Sequence, residues 1–152
     1  MDFIETVRNK ARELKRTLVL PEGTEQRTLQ AARILVDEGL AGKLVLLGER
    51  AAVEAAAAAA NTKLDGVEVV DPGQSDALDR YASEYYELRK HKGMTEAAAR
   101  EKIVDPLHWG AMMVRTGDAD AMVAGAENAT SAVLVAAFTI IKTAPGTKFA
   151  SS

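Results

Sequence analysis

At 152 residues, 47% hydrophobic and 27% charged, the chain is long enough to bury one domain core and has the balance of an ordinary globular protein. A net charge of -3, with cations interleaved among acids, leaves no basic patch and argues against a nucleic-acid partner, while small anions can still be met by local arginines. The absence of cysteine removes disulfides, thiolate metal sites and a thiol nucleophile together.

Residues 1–11 read as a charged amphipathic helix rather than a signal peptide, and no apolar run approaches membrane-spanning length. A cytoplasmic protein with no membrane partner is therefore expected. Short apolar runs at 17–20, 43–47, 67–70 and 121–124 predict strands, each followed by helix-length sequence, which is the rhythm of an α/β fold with a mostly parallel sheet and flanking helices. Leu44, Val45, Leu46 and Leu47 are apolar at every position, as a strand covered on both faces requires. Helices are predicted over 25–37, ending at Gly39 as a left-handed cap, and over the alanine-rich stretch 49–60. Asp71-Pro72-Gly73 predicts a turn. Ser75 with Asp76 then opens a helix through Tyr81, Tyr85 and Leu88 that ends near Lys92-Gly93. Thr95 caps the next helix, and Asp105-Pro106 starts a third, whose Trp109, Met112 and Met113 form an apolar stripe suited to the core. No linker or repeat divides the chain. The run Lys148-Phe149-Ala150-Ser151-Ser152 reads as a further strand cut short, so a truncated domain is expected.

In parallel sheets, ligands collect where strands end and helix N-termini begin. Three loops compete here: Pro21-Glu22-Gly23-Thr24 with Arg27 just after it, Gly48-Glu49, and the segment from Gly125 to Ser131. The third is the richest, because Gly125 and Ala126 permit close backbone approach while Asn128, Thr130 and Ser131 offer neutral hydrogen-bonding groups able to cradle a phosphate or an acyl carbonyl. Its other reading is a strand-to-helix turn whose polar residues cap the helix. It is neither a Walker loop nor a dinucleotide fingerprint. Arg27 is placed to reach an anion or to form a surface salt bridge, and Arg89 lies in a cationic run that suits a helix C-terminus. His91 and His108 have no ligand set at metal spacing, so no metal site is expected. Among the acids, Asp118 and Asp120 precede the last strand at the wrong end for catalysis, which leaves Glu127 alone where ligands collect.

Three separated stretches together resemble the N-terminal part of phosphate acetyltransferase (phosphotransacetylase): the segment from Leu20 through Pro21-Glu22-Gly23-Thr24 to Thr28, the segment from Tyr86 through Arg89 to Thr95, and Met122 to Ala126 continuing to Ile140-Ile141-Lys142-Thr143-Ala144-Pro145-Gly146. The resemblance implies an isocitrate/isopropylmalate dehydrogenase-like architecture of two α/β domains, of which residues 1–152 form the N-terminal one, with the second domain absent. It also implies a homodimer with the active site in the interdomain cleft. The implied reaction is reversible transfer of acetyl between CoA and phosphate, a step of acetate metabolism, with CoA or acetyl-CoA as substrate and no permanently bound cofactor. Arg27 and Arg89 match family arginines that bind anionic groups of CoA or phosphate. A third family arginine falls on Val135, its following proline on Ala136, and a common loop histidine on Asn128. The family's catalytic base falls beyond Ser152, so the isolated chain is expected to be weakly active or inactive. A phosphate butyryltransferase-like enzyme and a non-catalytic ligand-binding or dimerising module are the rival expectations.

Overall fold

The structure, a computed structural model, describes residues 2–148. The chain opens with helix α1 (Phe3–Leu14), capped by Asp2, whose carboxylate accepts from Glu5 N at 2.8 Å. Four strands follow in a parallel sheet: β1 (Thr17–Leu20), β2 (Lys43–Leu47), β3 (Glu68–Val70) and β4 (Ala121–Met122), in spatial order β3-β2-β1-β4. Thr17 pairs with Lys43 and Leu18 with Ala121, so β1 is central and takes partners on both edges. Crossover helices α2 (Gln26–Asp37) and α3 (Arg50–Ala59) connect the first three strands. The long excursion from β3 to β4 runs through α4 (Leu78–Arg89), α5 (Glu96–Ile103) and α6 (Pro106–Thr116). After β4 come α7 (Thr130–Ala136) and a π-helical turn over Ala137–Ile141.

Alternation along the strands feeds two cores. Val19, Val45 and Leu47 point to the face covered by the excursion helices, where they join Tyr81, Trp109 and Met112. Leu20, Leu44 and Leu46 point to the other face, with Leu29, Val53 and Ala57 of α2 and α3. The all-apolar run 44–47 of β2 is thus explained: both of its faces are covered. The stripe of Trp109, Met112 and Met113 is buried as expected, and Trp109 packs on Tyr81 with ring centroids 4.5 Å apart.

The predicted boundaries shift at a few ends. Val67 N donates to Leu64 O in the turn before β3, so that strand starts one residue late. Ser75 Oγ accepts from Ala77 N, which caps a turn ahead of α4, and the helix itself begins at Leu78. Thr95 and Asp105 cap α5 and α6 as expected, accepting from Ala98 N and His108 N. β4 ends two residues early because the chain turns out of the sheet after Met122, keeping only Val123 N to Val19 O at 3.2 Å. The further strand expected over 148–152 lies outside the described residues apart from Lys148, which is in no strand.

Candidate functional site

The strand order reverses at β1: β2 and β3 lie on one side and β4 on the other. The loops leaving the carboxyl ends of β1 and β4 therefore diverge and open a crevice between them, the place where open α/β sheets bind ligands. Of the three loops singled out from sequence, the first and the third meet here. The β1 turn is tight against β2: Gly23 N donates to Leu47 O at 3.2 Å, and a Cβ on Gly23 would sit 2.3 Å from that oxygen. Only glycine fits there. On the other side Gly125 has φ +117, a conformation that turns successive N–H groups of the loop to one side.

Glu22 fills the concavity so formed. Its Oε1 accepts from Gly125 N at 2.7 Å and Ala126 N at 2.9 Å. Its Oε2 accepts from Glu127 N at 2.7 Å, Asn128 N at 2.6 Å and the Asn128 side-chain amide at 3.0 Å. Glu22 is only 4% exposed. Burial by itself would push its carboxyl up, but the N–H donors of Asn128, Glu127 and Gly125, with the Asn128 amide, outweigh it together and bring it down to about 2. The N–H groups of residues 125–128, in the loop expected to cradle a phosphate or an acyl carbonyl, are thus committed to the chain's own carboxylate. The helix-capping alternative fares no better: α7 is capped at Ala129 with no side-chain bond, and Asn128 turns back to Glu22 instead.

Arg27 is brought to the same loop. Its Nη2 donates to Ala126 O at 2.5 Å and its Nε to Glu25 Oε1 at 2.8 Å, while Glu25 caps α2 through Thr28 N. The sequence offered an anion contact or a surface salt bridge for Arg27; the salt bridge is present, and the bond across to the loop accompanies it. Arg89 closes α4, half-buried, with no ion-pair partner among the described residues, and its charge acts on the Tyr85 phenol. Tyr85 in turn meets the His108 ring edge-on at 5.8 Å.

Two cavities open beside the cradle. One, about 220 Å³, lies between the β1 turn, Gly48, Asp105 and the side of the loop carrying Glu127 and Asn128. The other, about 360 Å³, is lined by Lys102, Asp105, His108, Asn128, Ser131 and Val135. Asp105, Leu107 and Asn128 are common to both. Ser131 therefore faces a cavity, whereas Thr130 lies exposed at the start of α7 and lines neither. Glu127 is at the crevice, and Asp118 and Asp120 are away from it. Asp118 accepts from Tyr81, Arg80 and Thr116, and Asp120 accepts from Thr17 N at the opposite end of β1.

Sequence reasoning missed two features. It named Glu22 only as part of a loop, although a carboxylate between Pro21 and Gly23 directly after a buried strand was a signal for an inward-facing acid. It also left His108 without a carboxylate partner, whereas His108 Nδ1 lies 2.6 Å from Asp105 Oδ2 and holds the Asp105 carboxyl below its ordinary value. The three-residue spacing on the first turn of α6 was readable. No group of three or more His, Cys, Asp or Glu side chains among the described residues is placed to hold a metal ion.

Comparison with known proteins identifies the lineage. A family model described as phosphate acetyl/butaryl transferase matches residues 2–152. The chain is 47% identical over its whole length to the phosphate acetyltransferases of Thermoanaerobacterium thermosaccharolyticum and Acetivibrio thermocellus, covering 45% of each. A phosphotransacetylase structure from Streptococcus pyogenes aligns over 98% of this chain and 46% of its own, with a TM-score of 0.89 at 29% identity. The chain thus spans a little under half the length of the relatives it matches. Matched from end to end by the family model, and at this identity by the relatives, it belongs to the phosphate acetyl/butaryl transferase family.

Proposed function

We propose that this chain carries the substrate-binding N-terminal part of a phosphate acetyltransferase, which exchanges acetyl between CoA and inorganic phosphate. The observation that carries this reading is the meeting of the β1 turn and the 125–131 loop at the switch point, with Arg27 bonded into that loop beside two cavities. Arg27 and Arg89 are the anion-binding cations. Gly125 and Ala126 give the loop its close-approach backbone, Asn128 and Ser131 are the polar groups beside the substrate, and Thr130 stands outside the cavities at the exposed start of α7.

The chemistry asks mainly for positioning and charge stabilisation. A phosphate oxygen attacks the thioester carbonyl, the carbonyl oxygen takes up negative charge in the tetrahedral state, and the C–S bond breaks to release the CoA thiolate. The thiolate then takes a proton. In the other direction a base removes the thiol proton, sulfur attacks acetyl phosphate, and phosphate leaves with the C–O electron pair. In this reading transfer is direct, in a complex holding both substrates. The base belongs to a part of the protein outside these residues. CoA and phosphate are substrates rather than resident cofactors, and the whole protein works as a cytoplasmic homodimer in acetate metabolism.

Butyryl is the second acyl group to consider, because the family description names it beside acetyl. Relatives 47% identical and named phosphate acetyltransferase favour acetyl. The deciding experiment is phosphate-dependent release of CoA from acetyl-CoA and butyryl-CoA by the protein carrying this chain, with its intact mass confirmed, beside calorimetric titration of phosphate and CoA into the 152-residue chain. Release from acetyl-CoA well above butyryl-CoA supports the proposal. A protein that turns over neither, and a chain that binds neither ligand, would overturn it.

A further inference from the structure

We infer that Glu22 is the positioning residue of this site: an internal anion that occupies the backbone cradle of residues 125–128 and fixes the loop, so that substrate anions are held by side chains around the cradle and not by its N–H groups. The part concerning substrate rests on the proposed function. The part concerning the loop stands on geometry alone.

Four consecutive backbone N–H groups converging on one point form an anion site, and in this chain they bond two to each oxygen of a single carboxylate. With the Asn128 amide as a fifth donor, the carboxylate's roughly four lone-pair positions are saturated. Glu22 cannot drift, because its neighbour Gly23 is pinned to the end of β2 with no room for a Cβ. A tethered anion competes with a free one at a high effective concentration, so phosphate at ordinary levels does not displace it. The same turn also grips the carbonyl side of the loop, through Arg27 to Ala126 O. Residues 22–27 thus hold both the donor and the acceptor edges of the 125–128 backbone, although about a hundred residues separate the two in sequence.

The arrangement has a consequence for the site. A loop with four inward N–H groups and no internal partner would be an anion trap of its own. With Glu22 seated, the crevice presents the Arg27 guanidinium and the Ser131 hydroxyl around an already neutralised cradle. Binding then depends on side chains that can be exchanged, while the loop keeps one conformation with or without substrate.

The test uses the 152-residue chain as wild type, Glu22→Ala and Glu22→Gln, with amide NMR and hydrogen exchange at residues 125–128 and sodium formate as the probe. In Glu22→Ala the four amides should lose protection by at least tenfold, with a fall in melting temperature on the order of 5–10 °C. Formate should restore both in the variant and leave wild type unchanged, a rescue that loss of packing would not show. Glu22→Gln, which keeps one oxygen acceptor, should fall between. Should Glu22→Ala not fold, wild type decides: the carboxyl carbon of Glu22 should titrate well below the ordinary glutamate range, and the four amide shifts should follow it. Unchanged protection in the alanine variant, a normal Glu22 titration, or phosphate shifting these amides in wild type while freeing Glu22 would overturn the inference. Failure of phosphate and CoA to bind anywhere, with the formate rescue intact, would instead remove the proposed function and leave the role of Glu22 in the loop standing.

Discussion

An arginine that donates to a backbone carbonyl yet stays 72% exposed keeps most of its charge available to a ligand, and Arg27 is in that position. Arg89, half-buried and without an ion-pair partner among the described residues, is available for a different reason: no carboxylate neutralises it. Replacing either by alanine should weaken phosphate or CoA binding on the order of tenfold, with the melting temperature unchanged for Arg89→Ala and slightly lowered for Arg27→Ala, which also loses its bond to Ala126 O. Unaltered binding in both variants would reduce them to a loop clamp and a helix-end cation. Glu22 carries a pH prediction. Its folded carboxyl lies near 2, below the ordinary value of 4.5, so the stability it contributes is fully present above pH 4.5 and is lost as pH falls toward 2. The contribution at neutral pH is on the order of 3 kcal/mol. Arg27 is the cation whose charge acts on Glu22, and Glu127 and Asp105 line the same cavity. Acid unfolding of wild type should therefore be steeper below pH 4.5 than that of Glu22→Gln; superimposable profiles would count against it. Arg27 was legible in the sequence because one turn of helix places it. The role of Glu22 was not, because its partners are backbone N–H groups far along the chain, and main-chain donors leave no mark in residue identity.

At the scale of elements, the sequence pattern reached most of what the structure contains. All four strands and the helices between them follow from apolar runs, caps and Gly or Pro stops, since these are local signals. The neighbourhood of β1 and β4 is not local: nothing in either strand says that they pair, and that pairing brings the two loops together. One residue does record the contact between elements. Gly23 lies against Leu47 O, so Gly23→Ala must push the β1 turn off the end of β2, at a cost of about 1–3 kcal/mol. Gly73→Ala is the control, since a Cβ there meets its nearest neighbour at an ordinary 3.5 Å and φ is not positive. A urea midpoint lowered for Gly23→Ala and unchanged for Gly73→Ala is the expected result. Equal midpoints would mean that the turn yields easily, and the rigid seat argued for Glu22 would lose its support.

The molecule as a whole leaves apolar surface facing outward. On α1, Phe3 is 80% exposed, with Ile4, Val7 and Leu14 also in the open, and the helix buries none of its residues. Phe3 and Val7 are one turn apart and Leu14 two turns further on, so they form a stripe of the kind that elsewhere in this chain faces a core. Val135 and Phe138 add a second exposed pair after the 125–131 loop. The contrast within the fold sharpens the point: α2, with a comparable apolar face, buries Leu29 and Ala32 against the sheet. A stripe that is patterned for burial but uncovered is a surface for association. The 152-residue chain should therefore self-associate with rising concentration in sedimentation velocity. Phe3→Ser combined with Val7→Ser should move it toward monomer while leaving its thermal unfolding nearly unchanged, because neither side chain touches the two cores. A wild-type chain that sediments as a monomer across the whole concentration range would show that α1 keeps its apolar face in water without penalty, and the association argument would fail at its first step.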